Sequence, residues 1–125
     1  MPSKTVSIKK ITRGNDLTLK FNVTTTVDLN AARFIAKKKT KDADGAAIVN
    51  KPVTTAATAN GQISDIGGSD DLAVVLIFLT QADTMQFKAA VEYVWDLEVF
   101  DAAGKATTPV GGNITFDERV RIATG

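Results

Sequence analysis

The sequence predicts an all-β domain: an immunoglobulin-like antiparallel β-sandwich of about seven or eight strands with one short helical turn. Three observations predict it. Apolar and polar residues alternate at period two in several separate segments, the pattern of strands with one buried face. Turn-forming residues punctuate those segments at short intervals. Sixteen threonines accompany the many Val and Ile residues, a composition that suits pleated surfaces. The 125 residues fit one domain spanning 1–125, with a core large enough to fold without staples.

Taken in order, Thr5–Thr12 reads as a weak strand, and Arg13-Gly-Asn-Asp16 reverses the chain. Leu17, Leu19, Phe21 and Val23 then alternate with Thr18, Lys20, Asn22 and Thr24. Weaker strands are expected at Ala31–Lys39, Ala47–Val49 and Pro52–Thr58, with tight reversals at Lys41-Asp-Ala-Asp-Gly45 and Asn60-Gly61. Ser64-Asp-Ile-Gly-Gly-Ser-Asp-Asp71 reads as a loop. Leu72-Ala-Val-Val-Leu-Ile-Phe-Leu79 is the strongest strand. In Thr80–Phe87 a helical turn is expected, capped by Thr80 with Asp83 at the third position as a capping box. Val91, Tyr93, Trp95, Leu97 and Val99 mark the next strand, and Asp101-Ala-Ala-Gly-Lys105 the turn after it. The last strand carries Ile114, Phe116, Val120 and Ile122, interrupted by Glu118.

Composition removes several kinds of chemistry. With no Cys and no His there is no disulfide, thiol nucleophile, Ser-His-Asp triad or histidine metal centre. Asp42-Ala-Asp-Gly45 has the start of a calcium loop without its downstream ligands, and reads as a hairpin turn. Asp70-Asp71 and Asp117-Glu118 are solvated carboxylates, since strand neighbours point to opposite faces. No phosphate-cradling glycine loop leads into a helix. The expectation is therefore a non-enzymatic protein with no catalytic residues, cofactor or metal, and no small-molecule ligand. An eight-residue apolar run is too short to cross a membrane as a helix, and the first ten residues lack the apolar core of a signal peptide.

Charge adds two readings. The net charge is +1, which argues against a nucleic-acid partner. Eleven Lys/Arg and four Asp in residues 1–60 make +7, whereas four Lys/Arg and ten Asp/Glu in 61–125 make −6. Either the two halves attract between copies, or their strands interleave and the charges mix. Lys37-Lys-Lys-Thr-Lys41, without interleaved aromatics, reads as lysines guarding an exposed edge strand.

The most informative segment is Leu72–Leu79, apolar at every position, where a sandwich strand needs only one apolar face. If Ala73, Val75, Ile77 and Leu79 point inward, then Val74, Leu76 and Phe78 form an outward stripe. Another chain, or the small helix or a loop of the same chain, would cover it. Val94 and Phe100, on the otherwise polar face of their strand, favour an external partner. These five residues are the candidate protein interface.

The series Ile11-Thr-Arg-Gly-Asn-Asp-Leu-Thr-Leu19, Leu79-Thr-Gln-Ala-Asp-Thr84, Tyr93-Val-Trp-Asp-Leu-Glu-Val99, Asp101-Ala-Ala-Gly-Lys105 and Gly111-Gly-Asn-Ile-Thr-Phe116 spans nearly the whole chain. It resembles small β-sandwich structural proteins of tailed bacteriophages, such as the amino-terminal domain of the phage baseplate upper protein. The resemblance implies a virion component made in the bacterial host cytoplasm. It would pack against copies of itself and other virion proteins as a baseplate or tail adaptor. Ending at Gly125 with no helical or receptor-binding extension, the sequence departs from the baseplate pattern, which leaves a free-standing head or tail accessory or decoration role open. An immunoglobulin-like module recognising a host-surface carbohydrate or receptor is the alternative, with Trp95 and Tyr93 the aromatics it would use.

Overall fold

The computed structural model describes residues 4–12, 14–25, 28–38, 47–66 and 72–117. Their elements are β1 (Lys4–Thr12), β2 (Leu17–Thr24), β3 (Leu29–Lys38), β4 (Ala47–Thr54), β5 (Gly61–Ile66), β6 (Leu72–Leu79), α1 (Gln81–Thr84), β7 (Glu92–Asp101) and β8 (Ala106–Asp117). Five strands form one sheet in the order β1-β8-β7-β3-β4, and three form the other in the order β2-β6-β5. All pairs are antiparallel except β1 with β8. A three-stranded layer of the second, sixth and fifth strands behind a layer built from the third, seventh and eighth is the immunoglobulin-like arrangement. The fold class read from the sequence holds, with the parallel β1–β8 pair as the one departure from purely antiparallel sheets.

The inward faces follow the period-two pattern. Leu19 and Val23 on β2, Phe34 and Ala36 on β3, and Ala73, Val75, Ile77 and Leu79 on β6 are buried, as are Tyr93, Trp95, Leu97 and Val99 on β7. Burying each of the larger side chains contributes about 1.5–3 kcal/mol. Aromatic rings pack in two groups, of which the first joins the two sheets. Phe21 of β2 lies 5.4 Å from Trp95 of β7, which stacks on Phe34 of β3 at 5.6 Å. Phe87 stacks on Phe116 at 4.6 Å and meets Tyr93 edge-on at 4.9 Å. The polar tips are satisfied: Trp95 Nε1 donates to the Asn113 carbonyl, and the Tyr93 hydroxyl accepts from the Lys88 N–H. That last bond anchors the start of β7 to the segment before it, as a tyrosine corner does.

Two glycines are fixed by close approach. At Gly61, with φ +135°, a Cβ would lie 1.9 Å from the Leu76 carbonyl oxygen. At Gly112, with φ +156°, it would lie 2.0 Å from that of Val6. Any side chain would push β5 off β6 or β8 off β1.

Three expectations are corrected. Ala47–Val49 and Pro52–Thr58 are not two strands: β4 runs unbroken from Ala47 to Thr54. Pro52 is accommodated because β4 is an edge strand, where one missing N–H costs no ladder bond on the open side. Ser64–Ile66 is strand rather than loop, forming the end of β5. A bulge between Ile63 and Asp65 breaks the alternation that would have revealed it. Asn60-Gly61 does belong to a tight reversal, in which Thr58 and Gly61 exchange two backbone bonds. Finally, β3 is no edge strand, since β7 and β4 flank it. Lys37 and Lys38 therefore end an interior strand and do not guard an edge. Lys39, Lys41, the Lys41–Gly45 turn, Asp70-Asp71, Glu118, Val120 and Ile122 lie outside the described residues.

The charged halves interleave. β1, β3 and β4 from the basic half share a sheet with β7 and β8 from the acidic half, and β2 shares the other with β5 and β6. Both described ion pairs cross between halves, Arg33–Glu98 and Lys51–Asp83, each at 2.6 Å. The +7/−6 division along the chain mixes in space.

Candidate interaction surfaces

The outward stripe exists where the sequence placed it. Ala73, Val75, Ile77 and Leu79 are buried, while Val74, Leu76 and Phe78 alternate with them as half-buried residues. Because β6 is the middle strand of its sheet, the stripe runs down the centre of that sheet's outer face. Its cross-strand neighbours are polar: Thr18 beside Phe78, Lys20 and Gln62 on either side of Leu76, and Asn22 and Asp65 beside Val74. Leu72, exposed, extends the stripe at one end. The result is an apolar line bordered by hydroxyls, amides and two opposite charges, the layout of an interface core with a polar rim.

Val94 and Phe100 do not join it. They lie half-buried on β7, in the other sheet and on its opposite outer face. There they flank Asp96 and Glu98 and sit beside Lys37 and Ala31 of β3. Arg33 Nη2 donates to Glu98 Oε1 at 2.6 Å across β3 and β7. Asp96 is pushed above the ordinary carboxylate range by burial, against the pull of Lys37 and with the help of Glu98. The five candidate interface residues thus form two surfaces, one apolar and continuous, one charged with two isolated apolar positions.

A third feature was not legible from spacing alone. Lys51 faces Phe34 across the β3–β4 ladder and so points between the sheets, where its ammonium reaches Asp83 of α1. Asp83 also accepts from the Thr80 N–H at 2.8 Å and the Thr80 hydroxyl at 3.1 Å, while its own N–H donates to that hydroxyl. This is the capping box expected from the sequence, with a cation added. Burial raises the Asp83 carboxyl, but hydrogen bonds from Lys51 and Thr80 outweigh it and hold the group below its ordinary value. An inward-pointing charge on an edge strand discourages pairing with another sheet, so β4 is the guarded edge. The next residue, Thr84, is the one fully buried polar side chain among the described residues. Its hydroxyl accepts from Gly14 N–H at 3.0 Å and donates to the Asn15 carbonyl at 2.9 Å. Asp16 Oδ1 accepts from Gln81 N–H at 2.8 Å. The β1–β2 turn and α1 are therefore one hydrogen-bonded unit.

On the opposite flank the sandwich is open. β1 ends the five-stranded sheet and β2 ends the three-stranded one. Between them lies a groove of about 570 Å³ lined by Val6, Ile8, Phe21, Trp95, Pro109 and Val110, with Lys20, Asn22 and Thr24 at its rim.

Among the described residues no group of three or more acidic residues converges to hold a metal ion, and no helix is long and apolar enough to cross a membrane. Trp95 and Tyr93 are 2% and 1% exposed, so neither offers a face to a sugar.

No protein-family model and no curated protein matches the sequence. A solved structure of murine CRIg is similar to this chain at 11% identity, with a TM-score of 0.37, covering 95% of this chain and 94% of that one. The fold assignment rests on the strand order and registers given above.

Proposed function

We propose that this protein is a non-enzymatic structural subunit of a tailed bacteriophage particle, a baseplate or tail adaptor or a head accessory protein, that acts by packing against other virion chains. The observation that carries the assembly part is the Val74–Leu76–Phe78 stripe. A central strand that is apolar on both faces makes sense when both faces are covered. The resemblance of the strand-and-turn series to phage β-sandwich proteins supplies the setting, and copies of itself and other virion proteins are the partners it implies. The alternative, a carbohydrate-binding module on the same fold, loses its two aromatic candidates to the core.

Leu76→Asp tests the reading. It places a charge at the middle of the stripe between Lys20 and Gln62 without touching the buried set. The variant is expected to keep the wild-type circular dichroism and urea midpoint within about 0.5 kcal/mol, as an outer-face change does. It should no longer co-sediment with particles or higher assemblies. Unfolding of the variant would make the stripe part of the core, and unchanged assembly would place the contact elsewhere.

A further inference from the structure

Asn60-Gly61 is the single Asn-Gly pair in the sequence. In such a pair the glycine nitrogen can attack the asparagine Cγ, because no side chain at the second position hinders it. The new N–C bond closes a succinimide ring as the Cγ–Nδ2 bond breaks. Nδ2 leaves as ammonia, taking up a proton to replace the one that the glycine nitrogen gave to solvent. Water then opens the ring at either carbonyl, leaving aspartate or isoaspartate. The reaction needs water and no other reagent.

The fold both requires this pair and restrains it. Gly61 has φ +135°, and a Cβ there would lie 1.9 Å from the Leu76 carbonyl oxygen, so no residue with a side chain fits in its place. The turn then holds both reacting groups. The Gly61 N–H donates to the Thr58 carbonyl at 3.2 Å, which ties up the proton that the attacking nitrogen must lose. Asn60 Nδ2 donates to the Pro52 carbonyl at 3.2 Å, so the amide under attack is tethered to β4. The Asn60 N–H donates to the Thr58 hydroxyl at 3.3 Å, and the Asn60 carbonyl accepts from the Phe78 N–H at 2.9 Å. Ring closure has to break the bonds at the nitrogen and at the amide together. That takes a local opening of the β4–β5 turn.

We infer that Asn60 is a deamidation site that the folded turn keeps closed and that becomes reactive when β5 parts from β4 and β6. The chain thereby carries an irreversible record of its own opening, and the damage falls on the sheet that bears the outward stripe. Isoaspartate puts the Asn60 Cβ into the main chain and turns the carbonyl that accepts from Phe78 into a carboxylate beside it. β5 then starts out of step with β6 next to Phe78. The inference stands apart from the function proposed above, since its site, chemistry and readout involve no partner.

The test follows residue 60 by peptide mass mapping of the full chain at mildly alkaline pH, once folded and once in urea above its transition. The unfolded chain is expected to convert Asn60 to aspartate and isoaspartate with release of ammonia. The folded chain should keep its amide over the same period. Thr58→Val then loosens the turn from an exposed position. It removes the hydroxyl that accepts from the Asn60 N–H and donates to the Gly61 carbonyl. Losing the net contribution of one hydrogen bond makes opening about two- to tenfold more frequent. Folded T58V should therefore deamidate faster than folded wild type by that factor, with unchanged circular dichroism. Equal rates in folded and unfolded wild type overturn the inference, because the turn would then close nothing. So does an unfolded chain that keeps Asn60 intact, and so does a folded T58V no faster than wild type. If T58V does not fold, hydrogen exchange at Gly61 in the wild type decides: exchange as free as in the unfolded chain overturns the inference, and protection supports it.

Discussion

The α1 end of the sandwich and its β1–β2 flank show two ways for one core to stop. At the α1 end short polar side chains answer backbone groups one by one. Thr84 ties down the β1–β2 turn, Asp16 caps Gln81, Asp83 joins Thr80 to Lys51, and Phe87 fills the space beneath with Phe116 and Tyr93. At the flank the aromatic group Phe21–Trp95–Phe34 is equally well stacked, yet two strand edges and a groove lie beside it. The lesson is that a sealed boundary is built from short polar side chains that answer individual backbone groups. Apolar packing alone leaves the edge chemistry unanswered.

The largest consequence is in the rings. Phe87 is fully buried, and Phe87→Ala should cost about 3–5 kcal/mol. Phe21→Ala removes a ring that already faces the groove, so its loss of contact is smaller and water can enter the space left. Urea titrations of the two variants should place Phe21→Ala clearly closer to wild type. Equal midpoints would mean that the flank is as closed as the α1 end.

Next comes the hydroxyl that organises the sealed end. Thr84→Val keeps the shape but leaves the Gly14 N–H and the Asn15 carbonyl without the partner they share. A buried group abandoned in this way costs about 1–3 kcal/mol. Thr18→Val, the same change on the exposed outer face of β2, should move stability by no more than about 0.5 kcal/mol. Hydrogen exchange at Gly14 should quicken in the first variant only.

These differences explain what could be read from the sequence. The capping box was visible because Thr80 and Asp83 are three residues apart, and the two-faced strand was visible because all eight residues of β6 are contiguous. Tyr93 and Trp95 fell on the inward face for the same local reason. What escaped depends on residues brought together from afar. Nothing near Lys51 announces Asp83, thirty-two positions away. Ser64 and Asp65 looked like loop because Ile63 is the one fully buried apolar side chain in β5 and a bulge follows it. The separation of Val94 and Phe100 from the β6 stripe needed the sheet order, since alternation assigns a residue to a face without saying which face of the sandwich it is. The groove needed it too: a free edge is defined by which strands fail to meet.

The smallest effects are electrostatic, and they set the α1 end against the outer face of β7. Asp83 has a lowered pKa in the folded protein. Its contribution is therefore present above the ordinary carboxylate range and is lost as pH falls through that range to the folded value. Asp96 has a raised pKa, and the sign reverses. Its charged form is disfavoured by folding, so stability is gained as pH falls through the raised value towards the unfolded one. Asp83→Asn should lose about 1 kcal/mol at neutral pH through the weakened cap and show a shallower acid decline. Asp96→Asn should be neutral or slightly stabilising at pH 7 and should lose the gain on acidification. Urea midpoints from pH 7 down to pH 3 distinguish the two. If both variants make the acid decline shallower, Asp96 is paired as firmly as Asp83, and the outer face of β7 is a second sealed region rather than a solvated one.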